Sequence, residues 1–208
     1  MCCRYYILPR GVEWDPILEA AESARVLGRF RQAGLSLVRR GEVGPMDLAP
    51  VLAPDRQGGS QIFPMRWGFR LPGPKPGLLI NARVETASKK PTFREAWAGH
   101  RCAVPASGYF EWDRAPGPRG AAKPGAKYVI TAPGAPILWL CGLYRVEAGL
   151  PVFVILTRDP APGLEAIHDR MPLILPPQAV PAWVDPNRPP EPLLSQAILT
   201  LTPQPAGL

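Results

Sequence analysis

The first residues of the chain, MCCRYY, set two thiols directly behind the initiator methionine. A small residue at position 2 normally allows Met1 to be removed, which makes Cys2 the first residue of the mature chain. An amino-terminal cysteine carries a free α-amine and a thiol on adjacent carbons. An aldehyde condenses with such an amine, and the thiol then closes a five-membered thiazolidine ring. An internal cysteine cannot do this, because its nitrogen is held in an amide. An α-amine titrates near ~7.7–8.0, against ~10.4 for lysine. Near pH ~7.5 roughly a third of it is neutral and nucleophilic, compared with about one part in a thousand of a lysine. Arg4 nearby favours both the thiolate and the neutral amine. A buried apolar cysteine beside an ordinary start codon is the plainer reading of the same residues.

Proton carriers are few. The chain has 2 histidines, His100 and His168. His168, in IHDRMPLIL, precedes an apparent strand and has charged neighbours, which suits a general acid or base. His100, in the loop AGHRC, reads as structural. Glu111 lies in SGYFEWD, where apolar neighbours raise a carboxylate's pKa and fit it to pass a proton; an ion pair with an arginine is the structural alternative. Asn81, Arg83 and Glu85 alternate in NARVE. On a strand they would share one face, and an amide, a guanidinium and a carboxylate together suit a phosphate and a sugar better than a core. Zinc has little to hold it, since there is no C-x-x-C pair. Cys102 and Cys141 sit in apolar runs and read as core.

These residues need a scaffold, and the pattern is strand-rich. Residues 3–8 read as a first strand. Asp15 and Pro16 open a helix whose apolar stripe is Ile17, Ala20, Ala21, Ala24 and Leu27. Residues 41–61, rich in glycine and proline, read as loop. Strands are expected at 65–70 and 78–80 around the turn PGPKPG, then at 101–105, 108–113, 127–131, 137–144, 151–157 and 171–175. The insert 114–126 reads as a surface loop. Short helices are expected around Phe93 and Trp97 and over 178–184, and the proline-rich tail reads as frayed. This predicts an α+β fold: a mixed, mostly antiparallel, barrel-like β-sheet core with short peripheral helices. One domain over 1–208 is expected, with its core over about 2–185.

Composition limits the function classes. The chain of 208 residues has 24 Lys and Arg against 17 Asp and Glu, a formal charge of +7. Arg66, Arg70, Lys89, Lys90, Arg94 and Arg101 lie beside motif residues, which favours nucleic acid over a merely solvated basic surface. The 29 prolines and 20 glycines fall between apolar runs, so they mark loops. No apolar stretch of transmembrane length and no signal-peptide pattern occurs, which predicts a cytoplasmic protein with no membrane partner. The 4 cysteines make no disulfide framework. No Walker A, G-x-G-x-x-G or H-E-x-x-H pattern is present, and no cofactor is expected.

MCCRYY, MDLAP at 46–50, MRWGF at 65–69, INARVET at 80–86, SGYFEW at 107–112, ILTRD at 155–159 and IHDRMPLIL at 167–175 occur in that order. Together they resemble the SOS-response-associated peptidase (SRAP) family, whose members recognise abasic sites in DNA and cross-link to them. The resemblance spans residues 2 to about 185. It implies that Cys2 is the nucleophile, that Asn81 positions the terminus and the deoxyribose, that Glu111 assists proton transfer and amino-terminal processing, and that His168 helps open the sugar. It further implies phosphate contacts at Arg4, Arg83 and Arg170, stacking by Trp67 and Trp112, and a pocket hydroxyl at Thr157. The implied partner is abasic, single-stranded DNA, bound by a monomer, with autoprocessing and minor lyase activity. Two residues depart from the family pattern: Cys3 stands where glycine is usual, and Asp47 where asparagine is. A non-covalent module for single-stranded nucleic acid is the rival reading, and a cysteine protease pairing Cys2 with His168 a third.

Overall fold

The computed structural model describes residues 3–8, 12–55, 57–71, 77–113 and 125–206. Cys2, residues 72–76 of the PGPKPG turn and residues 114–124 of the insert lie outside the described residues. The chain opens on β1 (Arg4–Ile7), α1 (Asp15–Ser23) and α2 (Val26–Gln32). Next come β2 (Gly41–Val43), β3 (Leu48–Pro54), β4 (Ser60–Trp67) and a small hairpin, β5 (Phe69–Leu71) with β6 (Gly77–Leu79). Then follow β7 (Asn81–Arg83), α3 (Val84–Ala87) and α4 (Arg94–Gly99). The main run of strands is β8 (Arg101–Ala106), β9 (Gly108–Trp112), β10 (Lys127–Thr131), β11 (Leu138–Glu147) and β12 (Leu150–Arg158). The chain ends on β13 (Met171–Pro172), β14 (Ile174–Leu175), α5 (Val180–Val184) and β15 (Thr202–Pro205).

The strands make two principal sheets. One runs β15-β10-β9-β1-β2, with every pairing antiparallel. In the other, β3, β4, β12, β11 and β8 close into a ring, because β12 pairs with β4 on one side and with β11 on the other. The barrel-like core and short helices expected from sequence are therefore present. Alternation divides the apolar residues between two cores. Val51, Trp67, Val104, Leu140, Phe153 and Ile155 meet Tyr5, Ile7, Tyr109 and Ile130 of the first sheet. Ala103, Cys141, Leu143, Val154 and Leu156 face the other way, onto Trp97 of α4 and Trp183 of α5. Each fully buried valine, leucine, isoleucine or phenylalanine among them contributes about 1.5–3 kcal/mol.

Several expectations give way. The segment 41–61 is largely strand. Its prolines misled, yet the register sets Pro50 opposite Pro64. Two residues without N–H can face each other only across a non-hydrogen-bonded pair, so neither breaks the ladder. The helical stripe from Ile17 to Leu27 breaks at extended Ala24 into α1 and α2, and α1 is capped by Trp14 rather than by Asp15. The tail is not frayed over its described residues: β15 pairs along β10, and its prolines sit on a sheet edge where a missing donor costs little. Residues 171–175 split, β13 joining β12 and β14 joining β11.

Gly142 on β11 marks a close approach to β12 and β8 within the ring. A Cβ there would lie 2.7 Å from the Val154 carbonyl oxygen and 3.0 Å from Cys102 Sγ. Gly142→Ala is expected to cost about 1–3 kcal/mol, read as a lower urea midpoint at unchanged slope.

Candidate functional site

β9 is the strand that brings chemistry to the surface. Its inward residues, Tyr109 and Glu111, lie opposite Ile130 and Tyr128 of β10. Glu111 is only 3% exposed. Against the inward face of this strand folds the turn 161–168, in which the Ile167 and His168 N–H groups both donate to the Leu164 carbonyl. The result is a narrow crevice lined by Tyr109, Glu111, Ile130, His168, Arg170 and Met171, among others. The two proton carriers singled out in the sequence therefore share one lining. Their separation in the chain, 57 positions between 111 and 168, is bridged by the packing of Leu164 and Ile167 onto the first core.

The start of the chain runs to the same place. β1 is antiparallel to β9, with Arg4 opposite Phe110 and Tyr5 opposite Tyr109. One step further, the register sets Cys3 beside Glu111. The Cys3 thiol is pushed up by burial and then by the Glu111 charge. Its alternation with Tyr5 turns Cys3 inward rather than toward solvent, so the departure from glycine places a second thiol next to the carboxylate.

His168 has two partners on one nitrogen. Nδ1 lies 3.1 Å from the Arg170 N–H and 2.9 Å from Asp169 Oδ1. With Nδ1 protonated it donates to Asp169; with Nδ1 bare it accepts from Arg170. Either protonation state is thus met by a ready partner, which suits a group that gives and takes a proton. Arg170 itself is held rigidly. Its guanidinium donates to Asp159 at 2.5 Å, to both oxygens of Glu85 at 2.9 and 2.8 Å, and to the Thr157 carbonyl at 2.7 Å. Desolvation pushes Glu85 up, but hydrogen bonds from Arg170 and its own backbone, with the charges of Arg170 and Arg83, outweigh it and hold it below the usual range. A depressed folded-state pKa means stability present above the unfolded value of about 4.3 and lost as pH falls through the folded one. The gap in urea midpoint between wild type and Glu85→Gln should therefore be constant above pH ~5 and close on acidification.

The remaining sites divide. Asn81 pairs with Ile155, whose side chain faces the first sheet, so the amide stands on the same side of the ring as Glu111. Arg83 is exposed at the end of β7, and Arg4 is half exposed, 3.6 Å from Glu42. Trp112 lies half-buried on the outward face of β9. Trp67, expected to stack on DNA, is wholly buried: it stacks on Phe153 at 6.0 Å and donates to the Ile80 carbonyl at 2.9 Å. Thr157 is also fully buried, its hydroxyl 3.4 Å from the Ala82 carbonyl oxygen. Arg170, expected at a phosphate, has its guanidinium on the two carboxylates Asp159 and Glu85 and its backbone N–H on His168 Nδ1. Glu85 is on α3, not on the strand face of Asn81 and Arg83. Asp47 accepts the Gly44 N–H at 2.8 Å. Arg66 is tied to Glu147, and Arg101 is interior.

Asp169 and Asp159 were missed, although Asp169 adjoins His168 in the sequence. Cys102 and Cys141 are buried free thiols, as expected, and desolvation pushes both up. Among the described residues no group of three His, Cys, Asp or Glu could hold a metal, and no helix is long and apolar enough to cross a membrane. A cavity of about 880 Å³ lies between α1, α2 and the sheet, and among the described residues Arg25 is the one ionisable side chain in its lining.

Residues 1–206 match the family described as SOS response associated peptidase (SRAP). The chain belongs to the SRAP family. Over 151 residues it is 34% identical to the abasic site processing protein YedK of Escherichia coli, covering 68% of this chain and 65% of that one. Over 137 residues it is 34% identical to the abasic site processing protein YoqW of Bacillus subtilis, covering 62% and 59%. The match thus spans 59–65% of the length of these curated SRAP relatives. A phage-related protein of Bordetella bronchiseptica shares the SRAP fold with a TM-score of 0.73 at 23% identity, over 99% of this chain and 94% of that one.

Proposed function

We propose that the protein captures abasic sites in DNA, with single strands preferred, through a covalent link to Cys2 once Met1 is removed. The observation that carries this reading is the convergence of Glu111 and His168 on one crevice beside Cys3, one peptide bond from Cys2. The names of the relatives support the substrate. In the proposed reaction His168 helps open the deoxyribose to its aldehyde, and Glu111 passes protons during condensation. The Cys2 amine attacks C1′ and one water leaves, giving a Schiff base. The thiol adds across the C=N bond, its proton passes to nitrogen, and a thiazolidine results with no change of oxidation state. Asn81 orients the sugar, while Arg83 and Arg4 hold phosphates. The thiazolidine lacks the iminium that drives β-elimination, so strand scission is a side branch from the Schiff base. Removal of Met1 by the protein itself, assisted by Glu111, and a monomeric state complete the reading. Affinity should fall with salt as the phosphate contacts release counterions.

Intact-mass analysis of the full chain mixed with an abasic oligonucleotide tests this. The expected adduct equals the two components less one water, and is absent for Cys2→Ala and for protein acetylated at its α-amine. Equal cross-linking by Cys2→Ala overturns the mechanism. Salt-reversible binding without any adduct, indifferent to the abasic site, would instead identify a non-covalent nucleic-acid module.

A further inference from the structure

The outward face of the β15-β10-β9-β1-β2 sheet carries side chains that the crevice does not use. Alternation along β1 and β9 turns Tyr5, Tyr109 and Glu111 inward and Arg4, Tyr6, Phe110 and Trp112 outward. The outward aromatics belong to neither of the two cores nor to the small cluster of Leu27, Phe30 and Leu48. All three rings are half-buried rather than covered. Tyr6 packs against Gly108, where a Cβ would come within 2.7 Å of its ring. Its centroid is 5.3 Å from that of Phe110. Lys127 Nζ stands 3.9 Å from the Phe110 centroid and 5.6 Å from that of Trp112. Lys127 also pairs with Glu42, as does Arg4, so two cations share one carboxylate and the trio keeps a net positive charge.

We infer that this face is a stacking platform for the unpaired bases flanking a lesion in single-stranded DNA, with Phe110 at its centre and Tyr6 and Lys127 beside it, extending outward from the contacts that the family resemblance already implies at Trp112 and Arg4. The inference deepens the proposed function and rests on it for the identity of the strand. Flat rings on an open sheet suit bases of any sequence, and cations beside them suit the phosphates between the bases. The Lys127 ammonium now caps the Phe110 ring through a weak cation–π contact. A base that stacks there takes its place and sends the ammonium to a phosphate, so the ligand replaces in kind what it displaces. Duplex DNA cannot use the platform, because its bases are already stacked. β9 links the platform to the crevice: Glu111 points to one face, and Phe110 and Trp112 to the other. A strand turning around the start of β1 would therefore present its lesion to Glu111 and its neighbouring bases to the rings.

The test uses the full chain carrying Cys2→Ala, which removes covalent capture, and fluorescent dT12 with a duplex of the same length. Phe110→Leu keeps apolar bulk but loses the aromatic face, and it should weaken dT12 binding about tenfold or more while changing duplex binding little. Lys127→Ala should reduce the salt slope for dT12 by about one. Thermal unfolding reports that each variant is folded. If both folded variants bind dT12 as the parent does, the platform is wrong and the face serves another partner. A platform sensitive to Phe110→Leu in a protein that forms no adduct with Cys2 intact would keep this inference and overturn the covalent mechanism. The converse pattern would do the reverse.

Discussion

Glu111→Gln is expected to slow adduct formation with an abasic oligonucleotide by about 100-fold or more, the usual scale for a positioned proton carrier. The substitution keeps the shape of the side chain and removes its ability to take a proton. Glu111 is 3% exposed, lines the crevice with His168, and lies beside Cys3 at the mouth of the chain. An amide is less costly to bury than a carboxylate, so the variant should unfold at or near the wild-type temperature. A purely structural glutamate predicts the opposite pair of results: an unfolding midpoint several degrees lower and an unchanged rate per folded molecule. Single-turnover gels across pH separate the two. Loss of a proton carrier flattens the limb of the profile that the carrier governs, whereas loss of fold scales the whole profile. An unchanged rate and profile in folded Glu111→Gln would remove Glu111 from the mechanism.

What could be read from the sequence followed local chemistry. The long strands, His168 before a strand and Glu111 on one were visible because apolar alternation and charged interruptions are local. That Glu111 and His168 share a crevice was not, since it depends on Leu164 and Ile167 packing across the first core. Trp67 and Thr157 show the limit most plainly. Each sits in a motif that the resemblance marks as functional, yet both are fully buried, and a motif residue that holds a wall looks the same in sequence as one that touches a ligand. Arg170 was assigned to DNA because its charge was visible and its acceptors were not: Glu85 and Asp159 lie 85 and 11 positions away. The segment 41–61 failed because proline counts against a strand only where its N–H is needed, and which edge is paired is a tertiary fact.

Arg101→Leu is expected to destabilise the fold by about 3–5 kcal/mol, the cost of breaking one side of a buried charged network. Arg101 is 1% exposed, and its guanidinium donates to the carbonyls of Trp183, Trp97, Ala98, Asp185 and Arg188. Two of these lie at the end of α4 and three at the end of α5 or beyond it, so one planar cation satisfies orphan carbonyls of both helices and binds them to β8. Burial pushes its pKa down, partly offset by the charges of Glu191 and Asp185, but arginine starts so high that it stays protonated. Leucine fills the volume and leaves the carbonyls dry. Arg101→Lys should recover only part of the loss, because an ammonium cannot fan its donors in a plane. Urea unfolding measures both. The same variant tests how the net charge acts: Arg101→Leu removes one positive charge, yet its guanidinium faces carbonyls and not solvent. The salt dependence of DNA binding should therefore match wild type in the folded variant, whereas Arg83→Ala, at an exposed guanidinium, should lower the slope by about one. A fall for Arg101→Leu equal to that for Arg83→Ala would mean that DNA responds to the total charge of the protein and not to particular surface cations.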